Sequence, residues 1–125
     1  ILNPFAKEFV LRSDRGLTKS LTAIDCSWEL AQKMFLKNFI GLSRKLPPLL
    51  AGNPVNYSKI GKLTTAEAIA GALYIMDYPE LANSVIGKFK WGHTFYDLNQ
   101  YLLEDYSHAK TMEDVVGISQ EYGLE

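Results

Sequence analysis

Cys26 is the only cysteine in 125 residues, which excludes an internal disulfide and any cysteine-cluster metal site and suits a reducing compartment. His93 and His108 lack metal-ligand spacing, and neither pairs with Cys26 in a recognisable nucleophile motif, so no metal is expected. Cys26 itself reads as a small buried hydrophobe. No apolar run approaches membrane-spanning length and Ile1 opens no signal-peptide pattern, so no membrane partner is expected and the location reads as cytoplasmic. Glycine-rich dinucleotide and P-loop patterns are missing, which disfavours nicotinamide and nucleoside-triphosphate chemistry. Zinc fingers, RNP motifs and GXXG loops are missing as well, so no standard RNA-binding module is supported. The chain has no internal repeat and no low-complexity segment.

Acid is the other thing in short supply, and only in one half. Between Ala31 and Ala66 there is no Asp or Glu, whereas Lys33, Lys37, Arg44, Lys45, Lys59 and Lys62 all fall there. Residues 1–66 carry a balance of +6 and residues 67–125 a balance of −7, which the net charge of −1 conceals. Such asymmetry hints at a polyanion on the basic side, although solvated helix faces would look the same. Basic residues around a polar loop, with Tyr57 available for stacking, fit RNA better than DNA.

What is present divides into two parts. With 47% apolar residues the chain has enough for a core, as one small domain or two half-size lobes. Leu21-Thr22-Ala23-Ile24 is a short β-rich run ending at Asp25, and a helix with Trp28, Ala31, Met34 and Phe35 is predicted from an N-cap at Ser27. A second run, Leu46 to Ala51, ends at Gly52-Asn53. Two short buried runs, each followed by a helix start, predict parallel strands of an α/β layer. Everything after Thr64 is helical in pattern. The first helix places Ala68, Ile69, Ala72, Leu73 and Ile75 inward; the second begins near Asp77-Tyr78-Pro79-Glu80 with an acid at its cap. The third carries Phe95, Leu98, Leu102 and Tyr106, and the fourth starts near Thr111 with Val115, Ile118 and Tyr122. The expected division is therefore 1–46, a partial α/β N-terminal domain, and 47–125, a mainly helical C-terminal domain.

The most informative stretch is Asn53-Pro54-Val55-Asn56-Tyr57 followed by Lys62-Leu63-Thr64-Thr65-Ala66-Glu67. Asn-Pro marks a turn, and Thr64 three residues before Glu67 is a capping box. A basic polar loop thus leads to a helix start whose N–H groups suit an anion, or which is simply a helix start after a loop. Trp28 and Ala31 share a helix face beside a strand end, where open α/β sheets bind ligands, yet periodicity alone reads Trp28 as core. Asp25 is open as a general base, an RNA or cofactor contact, or an ordinary anion at a helix start.

Asp25-Cys26-Ser27-Trp28, the run Leu46-Pro47-Pro48-Leu49-Leu50-Ala51-Gly52-Asn53-Pro54-Val55-Asn56-Tyr57 and Phe89-Lys90-Trp91-Gly92-His93 together resemble the small-subunit rRNA aminocarboxypropyltransferases of ribosome maturation, in their archaeal type. The order and spacing match over nearly the whole chain. Ile1-Leu2-Asn3-Pro4-Phe5 resembles a family segment that normally follows a few dozen residues, so an N-terminally truncated chain is expected. The resemblance implies a SPOUT-like parallel sheet, incomplete at its N-terminal part, with a C-terminal all-helical lobe and a trefoil knot. It implies S-adenosylmethionine as cofactor, with Ile24, Trp28, Ala31, Leu46, Gly61, Thr64 and Thr65 binding it. Gly61 departs from the family, which more often has an aromatic residue there. It implies transfer of the 3-amino-3-carboxypropyl group to N1-methylpseudouridine, in small-subunit rRNA or a pre-ribosomal particle, by a monomer. Asp25 is the candidate catalytic residue, and Arg44, Lys45, Asn56, Lys59 and Lys62 are the candidate RNA contacts. A SPOUT-type RNA methyltransferase and a non-enzymatic RNA-binding helical module are the alternatives.

Overall fold

The computed structural model describes residues 2–3, 6–16 and 43–124. The strand expected at Leu21–Ile24 and the helix expected from Ser27 lie outside the described residues. Among those described, a 3-10 turn (Arg12–Gly16) precedes four helices: α1 (Thr65–Ile75), α2 (Pro79–Ile86), α3 (Gly92–His108) and α4 (Met112–Glu121). The helical C-terminal part is as expected. No regular strand occurs among the described residues, only isolated bridges: Leu2 to Arg44 and Phe9 to Lys45 in parallel, and Leu50 to Ile60 antiparallel.

Local chemistry sets the helix ends. Thr64 and Thr111 cap α1 and α4, each in a complete capping box with Glu67 or Asp114. The Lys110 and Thr111 N–H groups hold the Asp114 carboxyl below its ordinary range. Asp77 differs from its expected role. It does not cap α2, whose N-cap is Tyr78 without a side-chain bond. Instead Asp77 sits at φ +66 just past α1, where its N–H reaches Tyr74 O and the Tyr78 N–H reaches Leu73 O. That pattern closes α1 with a Schellman motif, and Asp tolerates the left-handed position better than most residues. Arg12 (2.6 Å) and Arg15 (3.4 Å) then pair with its carboxylate, tying the 3-10 turn to this corner. Tyr122 likewise falls just beyond α4, where it donates to Asp105 of α3 at 2.5 Å. That hydrogen bond is the main reason its phenol is pushed up to about 12.

α1 packs on α2 and α3, and α3 also touches α4 and the 3-10 turn. From Ala70 to Ile75 every residue of α1 is buried, as befits a helix enclosed by neighbours. Its Tyr74 donates to Asn83 of α2 and lies 5.3 Å from the Tyr96 ring; burial, then Tyr96, pushes its phenol up to about 12. Leu2, Val10 and Leu11 join Leu49 and the helices in the same hydrophobic cluster.

The expected second strand, Leu46–Ala51, is extended but finds its partners differently. Leu49 O and Ala51 N–H face the following loop, accepting from Gly61 N–H (3.0 Å) and donating to Lys59 O (2.9 Å). The two polar groups of Leu50 therefore point the other way, as alternation along an antiparallel pair requires. There they meet Asn99, whose Oδ1 accepts from Leu50 N–H (2.8 Å) and whose Nδ2 donates to Leu50 O (2.7 Å) and Phe95 O (2.8 Å). Asn99 is fully buried and stands in for the neighbouring strand. Tyr106 on the same helix face donates to Pro48 O at 2.9 Å. Gly52 lies so close to α3 that a Cβ there would stand 2.6 Å from Phe95 Cα, which only glycine allows.

Asn99→Ala should cost about 2–4 kcal/mol in urea unfolding, because it leaves two buried backbone groups of Leu50 without partners at about 1–3 kcal/mol each. A loss below about 1 kcal/mol would mean that water takes over both bonds.

Candidate functional site

Segment 48–52 runs antiparallel to α3: Pro48 meets Tyr106, Leu50 meets Asn99 and Gly52 meets Phe95. The chain therefore leaves the core at the N-terminal end of α3 and there forms the loop 53–62 that leads into α1.

Glu67 holds this loop to the helix start. Its side chain is fully buried and collects four donors: Gly52 N–H (2.6 Å), Asn53 Nδ2 (2.8 Å), Thr64 N–H (2.9 Å) and the Thr64 hydroxyl (3.2 Å). The capping box seen in the sequence is thus also the clamp of the loop. Asn53 completes the clamp, accepting from Asn56 N–H (3.0 Å) and donating to Lys62 O (3.2 Å). Two residues take the left-handed region to close the turn, Ser58 at φ +60 and Gly61 at φ +71. Most side chains adopt the second of these only with strain, and glycine takes it at no steric cost. The Gly61 N–H is engaged by Leu49 O, so the backbone group it can offer a ligand is its carbonyl.

The expected site residues fall as follows. Ile24, Asp25, Trp28 and Ala31 lie outside the described residues. Leu46 is half-buried near Gly71 of α1, and its backbone N–H and C=O make no hydrogen bond among the described residues. Thr64 is the N-cap of α1. Thr65 and Ala66 N–H, one and two positions further in, are the two donors of the helix start with no hydrogen bond among the described residues. Lys59 and Lys62 are exposed on the loop, with Asn56 half-buried between Val55 (84% exposed) and Tyr57 (56% exposed). Arg44 is set apart: its guanidinium lies 3.3 Å from Asp14 and 3.4 Å from Glu8, so any outside anion there competes with two carboxylates. The Lys45 ammonium sits 4.4 Å over the Phe9 ring. Asn99 and Tyr106, which set the course of the chain into the loop, are polar anchors that helical spacing alone does not reveal. Asn99 falls four residues after Phe95 on the apolar stripe of α3, a spacing that marks it as buried.

No helix among the described residues is long and apolar enough to cross a membrane, and no group of three His, Cys, Asp or Glu among them is placed to hold a metal.

The family model described as "Ribosome biogenesis protein, C-terminal" matches residues 1–123. The chain is 41% identical over 124 residues to the 16S rRNA aminocarboxypropyltransferase of Methanococcoides burtonii, covering 98% of this chain and 71% of that protein. Identity to the protein of the same name from Methanosarcina mazei is 43% over the same span, with the same coverage of each chain. The solved structure of the SAM-dependent rRNA:acp-transferase Tsr3 from Vulcanisaeta distributa matches with a TM-score of 0.83 and 38% identity, over 99% of this chain and 67% of that one.

Glu67→Gln keeps the size of the clamp but turns an acceptor into a donor facing Gly52 or Asn53. It should lower stability by about 1–3 kcal/mol and speed amide exchange at Gly52 and Asn56 more than at Leu73 in the middle of α1. Equal acceleration at all three would make Glu67 a general stabiliser, not the anchor of the loop.

Proposed function

The chain belongs to the family described as ribosome biogenesis protein, C-terminal, and from that membership we propose that it is an S-adenosylmethionine-dependent aminocarboxypropyltransferase of small-subunit rRNA. The observation that carries this reading is the match of relatives so named along nearly the whole chain, with the clamped loop and helix start inside the matched span. The nucleophile proposed is the imide nitrogen of N1-methylpseudouridine. The protein is read as a cytoplasmic monomer acting on rRNA or a pre-ribosomal particle. Residues 1–46 are assigned to a SPOUT-like sheet layer and 47–125 to the helical domain, with the trefoil knot of that fold.

The residues described fit the cofactor. Leu46 presents backbone groups that make no hydrogen bond among the described residues and are of the kind that recognise an adenine edge, and the Thr65 and Ala66 N–H groups suit a carboxylate. S-adenosylmethionine supplies a sulfonium bearing three carbons open to attack, so the protein's task is to bury one and align another. Trp28 and Ala31 are assigned to the wall around the methyl, an aromatic face beside a sulfonium being favourable. Ile24 and the Gly61 carbonyl are assigned to the nucleoside. The start of α1, capped by Thr64, anchors the amino-acid end and directs the adjacent carbon toward the loop. Asp25 is assigned to the proton of the attacking nitrogen. Asn56, Lys59 and Lys62, with Lys45 and Arg44 behind them, hold the RNA.

Cofactor labelled separately in the methyl group and in the aminocarboxypropyl arm tests this on an rRNA fragment containing N1-methylpseudouridine. The arm label should enter RNA while the methyl label leaves in methylthioadenosine. Methyl label in the RNA, with S-adenosylhomocysteine as product, would make the protein a methyltransferase; binding of RNA without cofactor would leave only a binding module.

A further inference from the structure

Lys88-Phe89-Lys90-Trp91 forms the turn between α2 and α3, and nothing in the proposed reaction uses it. It is the basic exception in an acidic half: no Asp or Glu occurs between Glu80 and Asp97, and Lys110 is the one other Lys or Arg after residue 66. Lys88 and Lys90 are exposed, and neither is ion-paired among the described residues. Phe89 is 41% exposed although its ring stacks on Trp91, with centroids 4.9 Å apart and planes at 28°. Trp91 is half-buried against the core, so the Phe89 ring is backed from one side and presented to solvent. The backbone is fixed as well: Gly87, Phe89 and Gly92 N–H donate to Asn83, Ile86 and Phe89 carbonyls at 2.8, 3.2 and 3.0 Å.

Its position gives this turn meaning. Segment 48–52 runs antiparallel to α3 and reaches Phe95 at Gly52, so the loop 53–62 emerges at the end of α3 that the 88–91 turn precedes. The loop that carries Lys59, Lys62 and Tyr57 and the turn that carries Lys88, Lys90 and Phe89 therefore lie at the same end of α3. Lys110 follows the opposite end of this 17-residue helix, about 25 Å away at about 1.5 Å per residue. The whole-half charge count hides this arrangement, because it assigns Lys88 and Lys90 to the acidic side.

We infer that the RNA surface continues from the loop 53–62 onto the turn 88–91, where Lys88 and Lys90 meet phosphates and the Phe89 ring receives an unpaired base. Cations spaced around a backed, solvent-facing aromatic ring are what single-stranded RNA recognition uses. This rests on the reading of rRNA as substrate, and extends it to residues that reading leaves idle.

Binding of a fluorescent small-subunit rRNA fragment over a salt series tests the surface. Lys88→Glu with Lys90→Glu should weaken binding about tenfold at low salt and lower the salt slope by about 1.4, the loss of two single-strand phosphate contacts. Lys110→Glu should leave both unchanged. Phe89→Leu, which keeps an apolar residue on Trp91, should weaken binding at every salt concentration, while S-adenosylmethionine affinity stays at the wild-type value in all variants and reports an intact fold. If the double variant binds RNA like wild type, or no worse than Lys110→Glu, the inference is overturned, and an acidic protein partner becomes the better reading of the turn. Wild-type protein that binds the fragment but transfers nothing sinks the proposed chemistry and leaves this surface standing. Wild-type protein that binds no rRNA sinks both.

Discussion

A buried stretch of chain paired on one side only must still find partners for the backbone polar groups of its other side, and in this protein residues 48–52 find them in side chains from helices. Leaving one such group unpaired costs on the order of 1–3 kcal/mol, a large share of the stability of a small domain. Pro48 O is taken by Tyr106, both groups of Leu50 by Asn99, and Gly52 N–H by Glu67. Leu49 O and Ala51 N–H are taken by the chain folding back from the loop. Because Asn99 and Tyr106 stand on one face of α3, the same bonds that satisfy the segment also align it along that helix. The place where the loop emerges follows from this alignment, and so does the relation of the loop to the α2–α3 turn.

Glu67 joins this backbone constraint to the site. A glutamate at N3 of an exposed helix caps its own N-terminus and does little else. Here the helix start is pressed against the exit of the buried segment, so one side chain bonds both and fixes the angle between loop and helix. The donors of the helix start at Thr65 and Ala66 are thereby held in a constant relation to Asn53 and the lysines beyond it. Positioning of this kind is what a group-transfer site needs, since catalysis by alignment tolerates little play.

The four helices were legible because their signals are local: two capping boxes, Pro79 in a first turn, and apolar residues at helical spacing. Residues 46–51 were legible as buried and extended, but not in their pairing, since an apolar run of that length says nothing about which groups lie alongside it. Asp77 was misplaced by one element because an acid before a proline reads as an N-cap. Its actual role is to close α1 through backbone bonds in the left-handed region, and its carboxylate is thereby left to Arg12 and Arg15, more than sixty residues earlier in the chain. Asn99 was hidden for a related reason: a polar residue on an apolar stripe looks like a gap in the pattern until its partner is known. In the site, the loop and helix start could be read from motif alone, whereas the coupling through Glu67 required knowing that Gly52 and Asn53 come back to it.

Charge illustrates the same limit from the other side. The surplus of +6 in the first 66 residues includes Arg12, Arg15 and Arg44, and the fold gives all three to carboxylates: Asp77 for the first two, Asp14 and Glu8 for the third. Arginine suits that use, since its planar fork can serve several acceptors at once and loses less freedom per bond than lysine. Exposed pairs of this sort add little stability, but they do remove a cation from the field that a polyanion would feel. Lysines 59, 62, 88 and 90 form no ion pair among the described residues. The unpaired cations described on the loop and on the turn before α3 are thus lysines drawn from both halves of the sequence, two of them from the half that counts as acidic. Net charge by segment measures what the chain contains; which partner it can meet depends on the cations left over after the fold has paired the rest.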